Sequence, residues 1–201
     1  MTNRVRLGIL ISGRGSNMEA LLAAAADPEF PAEPVVVISN RPDAAGLATA
    51  AAAGVETVAL DHRSFADRAS FERALDAELG KAGVELIALA GFMRVLTAGF
   101  VARWEGRILN IHPSLLPLYP GLDTHARALA AGDREAGCTV HIVTADLDSG
   151  PILGQARVPV LPGDTPETLA ARVLAAEHRL YPAALGRHAR ALRLAPPARL
   201  G

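Results

Sequence analysis

Three side chains in the second half of the chain have the types and spacing for acyl-group chemistry: Asn110, His112 and Asp148. Only Ile111 separates Asn110 from His112, so an extended backbone turns both to the same side. An amide and an imidazole side by side can both donate to the oxyanion of a tetrahedral intermediate. The imidazole can also give or take a proton near neutral pH. Asp148 lies in the turn DLDSGP (146–151) and offers a carboxylate that could orient His112 and complement its charge. Each residue also has a plainer use. A loop histidine can bond loop carbonyls, and a turn aspartate commonly bonds its own backbone. The remaining histidines (His62, His125, His141, His178 and His188) are dispersed without metal-ligand spacing, so no metal site is expected. Ser16 and Ser114 lack a G-x-S-x-G context, which argues against a serine hydrolase.

A second constellation is the glycine turn SGRGSN at 12–17. Placed between a strand and a helix, its glycines allow a tight turn and its free amides face any bound anion. It is no dinucleotide fingerprint. Met18 stands where the third glycine belongs, and Ser39 and Asn40 stand where a ribose-binding carboxylate is expected. The plainer alternative is a tight turn with Ser16 capping the following helix.

Positioning these residues requires a scaffold, and the apolar pattern supplies one. Strands are expected at 5–12, 35–39, 55–60, 84–90, 108–111, 139–143 and 152–160. Helices are expected at 16–26, 44–53, 67–81 and 165–190, the last capped by Thr165. Such alternation predicts an α/β fold: a doubly wound, mostly parallel, Rossmann-like sheet of about seven strands with helices on both faces. The segment HPSLLPLYPGLD (112–123) holds three prolines and must be an ordered loop. One domain over 1–190 with a loose tail at 191–201 is the expected organisation.

Composition narrows the function. The chain has 201 residues, a formal net charge of −1, one cysteine (Cys138) and eight aromatic residues. Half of it is apolar, which excludes disorder. No basic field points to nucleic acid, and a single cysteine excludes a disulfide framework. No apolar run is long enough to span a membrane and the first residues read as a strand, so a soluble cytoplasmic protein is expected.

Together these segments resemble the folate-dependent formyltransferases, on their glycinamide ribonucleotide branch. The resemblance rests on LISGRGSN (10–17), ISNRPDAAG (38–46), LAGFMRVL (89–96), LNIHPSLLPLYPG (109–121), DLDSGP (146–151) and EHRLYP (177–182). It implies that Asn110, His112 and Asp148 are catalytic. Gly15, Ser16 and Asn17 would hold a ribonucleotide 5′-phosphate, and Glu177 would meet the glycinamide side. Arg68, Met93, Arg94, Val95 and Leu96, with Asn110 and Thr144, would bind the cosubstrate 10-formyltetrahydrofolate. Pro117 would be cis, and no metal would be needed. The partners implied are these two small molecules, with no nucleic acid or membrane, in a monomer or homodimer. The chain departs from the family at Leu118 and Asp123, where bacterial relatives often carry Lys and His.

Two related activities and one unrelated one compete. A tRNA formyltransferase is expected to carry a further nucleic-acid-binding domain. A formyltetrahydrofolate hydrolase is expected to carry an N-terminal regulatory domain. A catalytically silent mononucleotide-binding module would lack Asn110, His112 or Asp148, and all three are present.

Overall fold

Short β-branched runs alternate with Ala- and Leu-rich stretches, and the chain folds accordingly. In this computed structural model, which describes residues 4–194, the first half runs β1 (Val5–Ile11), α1 (Ser16–Ala25), β2 (Ala32–Ser39), α2 (Ala45–Ala52), β3 (Glu56–Ala59), α3 (Arg68–Lys81) and β4 (Leu86–Leu89). The second half runs α4 (Ala98–Arg103), β5 (Ile108–His112), α5 (Thr124–Ala131), β6 (Glu135–Ile142), β7 (Ile152–Pro159) and α6 (Pro166–Leu194). The strands form one seven-stranded sheet in the order β3-β2-β1-β4-β5-β6-β7. β1 to β5 pair in parallel, and β6 and β7 add antiparallel. The order reverses between β1 and β4, and in open α/β sheets ligands bind outside the carboxyl ends of strands at that point.

Both faces of the sheet are covered. Val5, Leu7, Ile9 and Ile11 pack with Met18 and Leu21 of α1 and with Leu169, Val173 and Tyr181 of α6. On the other face Leu10, Val36, Ile38 and Ile87 pack with Phe71, Leu75 and Leu79 of α3 and Phe100 of α4. Burial on two sides is why β1 reads as a continuous apolar run rather than an alternating one. Gly8 keeps α3 close, because a Cβ there would lie 2.9 Å from Leu79 Cδ2.

Several local expectations change. Ser16 does not cap α1. Gly15 takes that position with φ 74 and no side-chain cap bond, leaving Ser16 as the first helical residue. α4 and α5, six and eight residues long, were not among the expected helices. β6 begins at Glu135, four residues before the expected start, because Glu135, Ala136 and Gly137 pair with β7 despite low strand propensity. Gly137 permits this pairing, since any Cβ there would collide with the Ala156 carbonyl oxygen. Thr165 caps α6 as expected, accepting from the Thr168 amide at 3.3 Å. The helix continues to Leu194 through residues 191–194, expected as tail; residues 195–201 lie outside the described residues. Among the described residues no helix is long and apolar enough to cross a membrane.

Candidate active site

β5 delivers Asn110 and His112 to the carboxyl edge of the sheet, where His112 is 5% exposed. Beneath them the fully buried Tyr181 hydroxyl lies 3.0 Å from the carbonyls of both Leu89 and Leu109, fixing α6 against the ends of β4 and β5. Asp148 arrives from the turn between β6 and β7 with φ 50, a left-handed conformation that aspartate tolerates better than most residues. Gly150 lets that turn fold tightly, because a Cβ there would collide with the Ile142 carbonyl.

These three residues meet. Asp148 Oδ2 lies 3.4 Å from His112 Nδ1 and accepts the Gly121 amide at 2.9 Å. Asp148 thereby ties the proline-rich loop to the site. His112 Nε2 faces the Tyr119 carbonyl at 2.9 Å. Both ring nitrogens of His112 thus face oxygens, Nδ1 the carboxylate and Nε2 the carbonyl. Burial pushes the Asp148 carboxyl upward, but the His141 ring, the Gly121 amide and the His112 ring outweigh it, leaving Asp148 below the ordinary carboxylate range. Leu116–Pro117 is cis, and Tyr119 and Asp123 both have positive φ.

His141 belongs to this cluster, although its sequence position gave it no role. It is 2% exposed, with Nε2 3.2 Å from Asn110 Nδ2 and 3.6 Å from Asp148 Oδ1. Its Nδ1 lies 3.1 Å from the Ile142 carbonyl, and its Nε2 stands between the Asn110 amide and the Asp148 carboxylate. The available signal was a histidine inside the apolar strand TVHIV, which antiparallel pairing sets opposite Asn110.

The glycine turn lies on the same edge, beside a cavity of about 500 Å³ lined by residues 12–17 and by Asn40, Arg41, His62 and Arg94 among others. The Gly46 amide takes the Gly13 carbonyl at 3.1 Å. A Cβ on Gly46 would come within 2.9 Å of the Arg14 carbonyl, so α2 seats directly on these carbonyls. With its carbonyls turned toward α2, the turn can present amides at the start of α1, the arrangement that receives anions. The Asn17 side-chain amide donates to Glu177 Oε2 at 2.6 Å, joining α1 to α6. Burial raises the Glu177 carboxyl above its ordinary range, against the Asn17 bond and the His112 ring.

Residues 93–96 form an irregular segment after β4, with Met93 73% and Val95 57% exposed and Leu96 buried. Arg94 lies over the Phe71 ring at 5.4 Å. Arg68 stands exposed at the start of α3, one turn before Phe71. Thr144 bonds the Asp146 carbonyl at 3.2 Å within the turn carrying Asp148. The structure therefore brings Asn110, His112 and Asp148 together and pairs Asn17 with Glu177. It keeps Arg68 on the rim. Among the described residues no group of histidine, cysteine and acidic side chains could hold a metal ion.

Comparison with known proteins agrees with this architecture. The phosphoribosylglycinamide formyltransferase of Escherichia coli (strain K12) is 46% identical over 174 residues, covering 87% of this chain and 82% of that protein. The trifunctional purine biosynthetic protein adenosine-3 of Gallus gallus is 50% identical over 184 residues, or 92% of this chain. The chain spans only 18% of the length of that relative. A crystal structure of phosphoribosylglycinamide formyltransferase from Brucella melitensis superposes with a TM-score of 0.90 at 60% identity, covering 92% of this chain and 96% of that one. The formyl transferase family model matches residues 5–185, and the chain belongs to that family.

Proposed function

We propose that this protein transfers the formyl group of 10-formyltetrahydrofolate to the amine of 5-phosphoribosylglycinamide, within purine biosynthesis. The observation that carries the reading is the cluster of Asn110 and Asp148 around the buried His112, facing the same sheet edge as the glycine turn. The name of the Escherichia coli relative supports phosphoribosylglycinamide as the acceptor of a formyl group, and that of the Gallus gallus relative supports purine biosynthesis.

The chemistry follows from the side chains. The 5′-phosphate sits on the amides of Gly15, Ser16 and Asn17, and Glu177 meets the glycinamide portion. Residues 93–96, with Arg68, Asn110 and Thr144, receive the folate. The neutral amine attacks the formyl carbon, and the electron pair moves onto the formyl oxygen. That oxyanion accepts from the Asn110 amide and from His112 Nε2, taking the place of the Tyr119 carbonyl. Removing one such donor costs about 2.7–4 kcal/mol in comparable sites. Asp148 orients His112 through Nδ1 and relays the amine proton, directly or through water, toward N10. The C–N10 bond then breaks, releasing formylated product and tetrahydrofolate.

Folate absorbance tests the reading, using purified protein, 10-formyl folate and glycinamide ribonucleotide beside a control without ribonucleotide. Deformylation only with ribonucleotide is the expected result. Equal turnover in the control would replace the transferase with a hydrolase, and silence in both would leave a binding module.

A further inference from the structure

We propose that Ser12 is a positioning residue for the formyl donor, joining the segment that receives the folate to the strand that carries the phosphate turn. The inference rests on the transferase reading above, and it names a residue which that reading does not use.

The segment after β4 has few fixed points. The Ala90 amide donates to the Leu10 carbonyl at 2.9 Å, and Gly91 then leaves the strand with φ 79. At the far end Glu72, 3% exposed, accepts the Thr97 amide at 2.7 Å and also the Thr97 hydroxyl. Between these ends, the Met93 amide donates to Ser12 Oγ at 2.8 Å. Phe92 and Leu96 pack into the core beside α3, while Met93 and Val95 expose their side chains, so the bond from the Met93 amide fixes the backbone at the exposed residue between them.

Ser12 is committed to that task. It is 7% exposed and follows directly on β1, and its own proton goes to Asn40 Oδ1 at 2.5 Å. A hydroxyl has one proton, so the bond to Asn40 aims a lone pair at Met93. Asn40 is itself held, 3% exposed, with its backbone carbonyl 2.9 Å and its side-chain amide nitrogen 3.2 Å from His62 Nδ1. A chain of bonds thus runs from the β3 side of the sheet through Asn40 and Ser12 to Met93. Ser12 spends both its proton and this lone pair within the protein, and the phosphate is left to Gly15, Ser16 and Asn17.

The test separates the two substrates. Ser12→Ala is expected to raise KM for the formyl donor about tenfold, equivalent to about 1.4 kcal/mol. Ribonucleotide KM and kcat should stay within about twofold, and Ser12→Thr, which keeps the hydroxyl, should recover most of the loss. Asn40→Ala leaves the hydroxyl but removes its aim, and should move donor KM in the same direction by about threefold. Donor affinity measured by titration without turnover gives a second readout of the same change. An unchanged donor constant in Ser12→Ala, or equal rises for both substrates, would overturn the proposal. Wild-type protein that binds neither substrate would overturn the transferase reading instead.

Discussion

Asn110 and His141 stand opposite each other across the antiparallel β5–β6 pair, with the Asn110 amide nitrogen 3.2 Å from His141 Nε2. The contact fixes the plane of the Asn110 amide and with it the direction in which its N–H groups face substrate. His141→Ala should therefore lower kcat roughly tenfold by loosening an oxyanion donor, less than the 10²–10³ lost when such a donor is deleted outright. Both KM values should change little. Steady-state kinetics check this; an unaltered kcat would remove His141 from the site.

Asp148 gives the cluster a pH signature. Its carboxyl lies below the ordinary value near about 3.9, so the folded state binds its proton less tightly than the unfolded chain does. The stability this contributes is present above about pH 4 and is lost as pH falls through the depressed folded value. Asp148→Asn should therefore be less stable than wild type at pH 7, with the gap closing below pH 4. Its kcat should also fall, by roughly 10²-fold or more, since His112 loses the carboxylate that orients it. Thermal unfolding of both proteins between pH 3 and pH 7 checks the first part, and a gap independent of pH would contradict it.

Much of this site was legible in the sequence because its residues lie on a short, local code. Asn110 and His112 share a face through strand period alone, and the glycine turn announces itself between a strand and a helix. His141 was not legible, since its meaning comes from an antiparallel partner 31 residues away. Ser12 and Asn40 escaped for the same reason, meeting across β1 and β2 over 28 residues of sequence. Ser16 looked like a helix cap because serine favours that position. The left-handed Gly15 took the place instead, which no propensity scale for serine anticipates. The mostly parallel sheet with helices on both faces followed from alternation, whereas the strand order and the short helices α4 and α5 are set by tertiary packing.

Glu177 offers a case in which function costs stability. Burial lifts its carboxyl above the ordinary range, so the folded state favours the protonated form. Its stabilising share is therefore complete below about pH 4.3 and fades as pH rises through the elevated folded value. Glu177→Gln keeps an oxygen to accept the Asn17 amide at the 2.6 Å contact while removing the buried charge. The variant should gain stability relative to wild type between pH 4 and pH 7.5. Its ribonucleotide KM should rise roughly tenfold, as expected for losing a hydrogen bond to a charged group. Unfolding curves at the two pH limits, with kinetics at pH 7.5, check both; a variant that loses stability on going to neutral pH would contradict the assignment.

Ser16→Asp separates helix energetics from phosphate binding. Ser16 is the first residue of α1, where the amides of the helix start face outward. A carboxylate at that position interacts favourably with the helix dipole, typically by about 0.3–1 kcal/mol, so folding stability should hold or rise slightly. The same charge would stand where the ribonucleotide phosphate is proposed to sit, and the two anions repel. Ribonucleotide KM should therefore rise at least about tenfold, while donor KM stays within about twofold. High salt should narrow the difference, because screening weakens repulsion between charges in contact with solvent. Kinetics at low and high ionic strength beside a thermal melt read all three quantities. An unchanged ribonucleotide constant in a stably folded variant would move the phosphate away from residues 15–17.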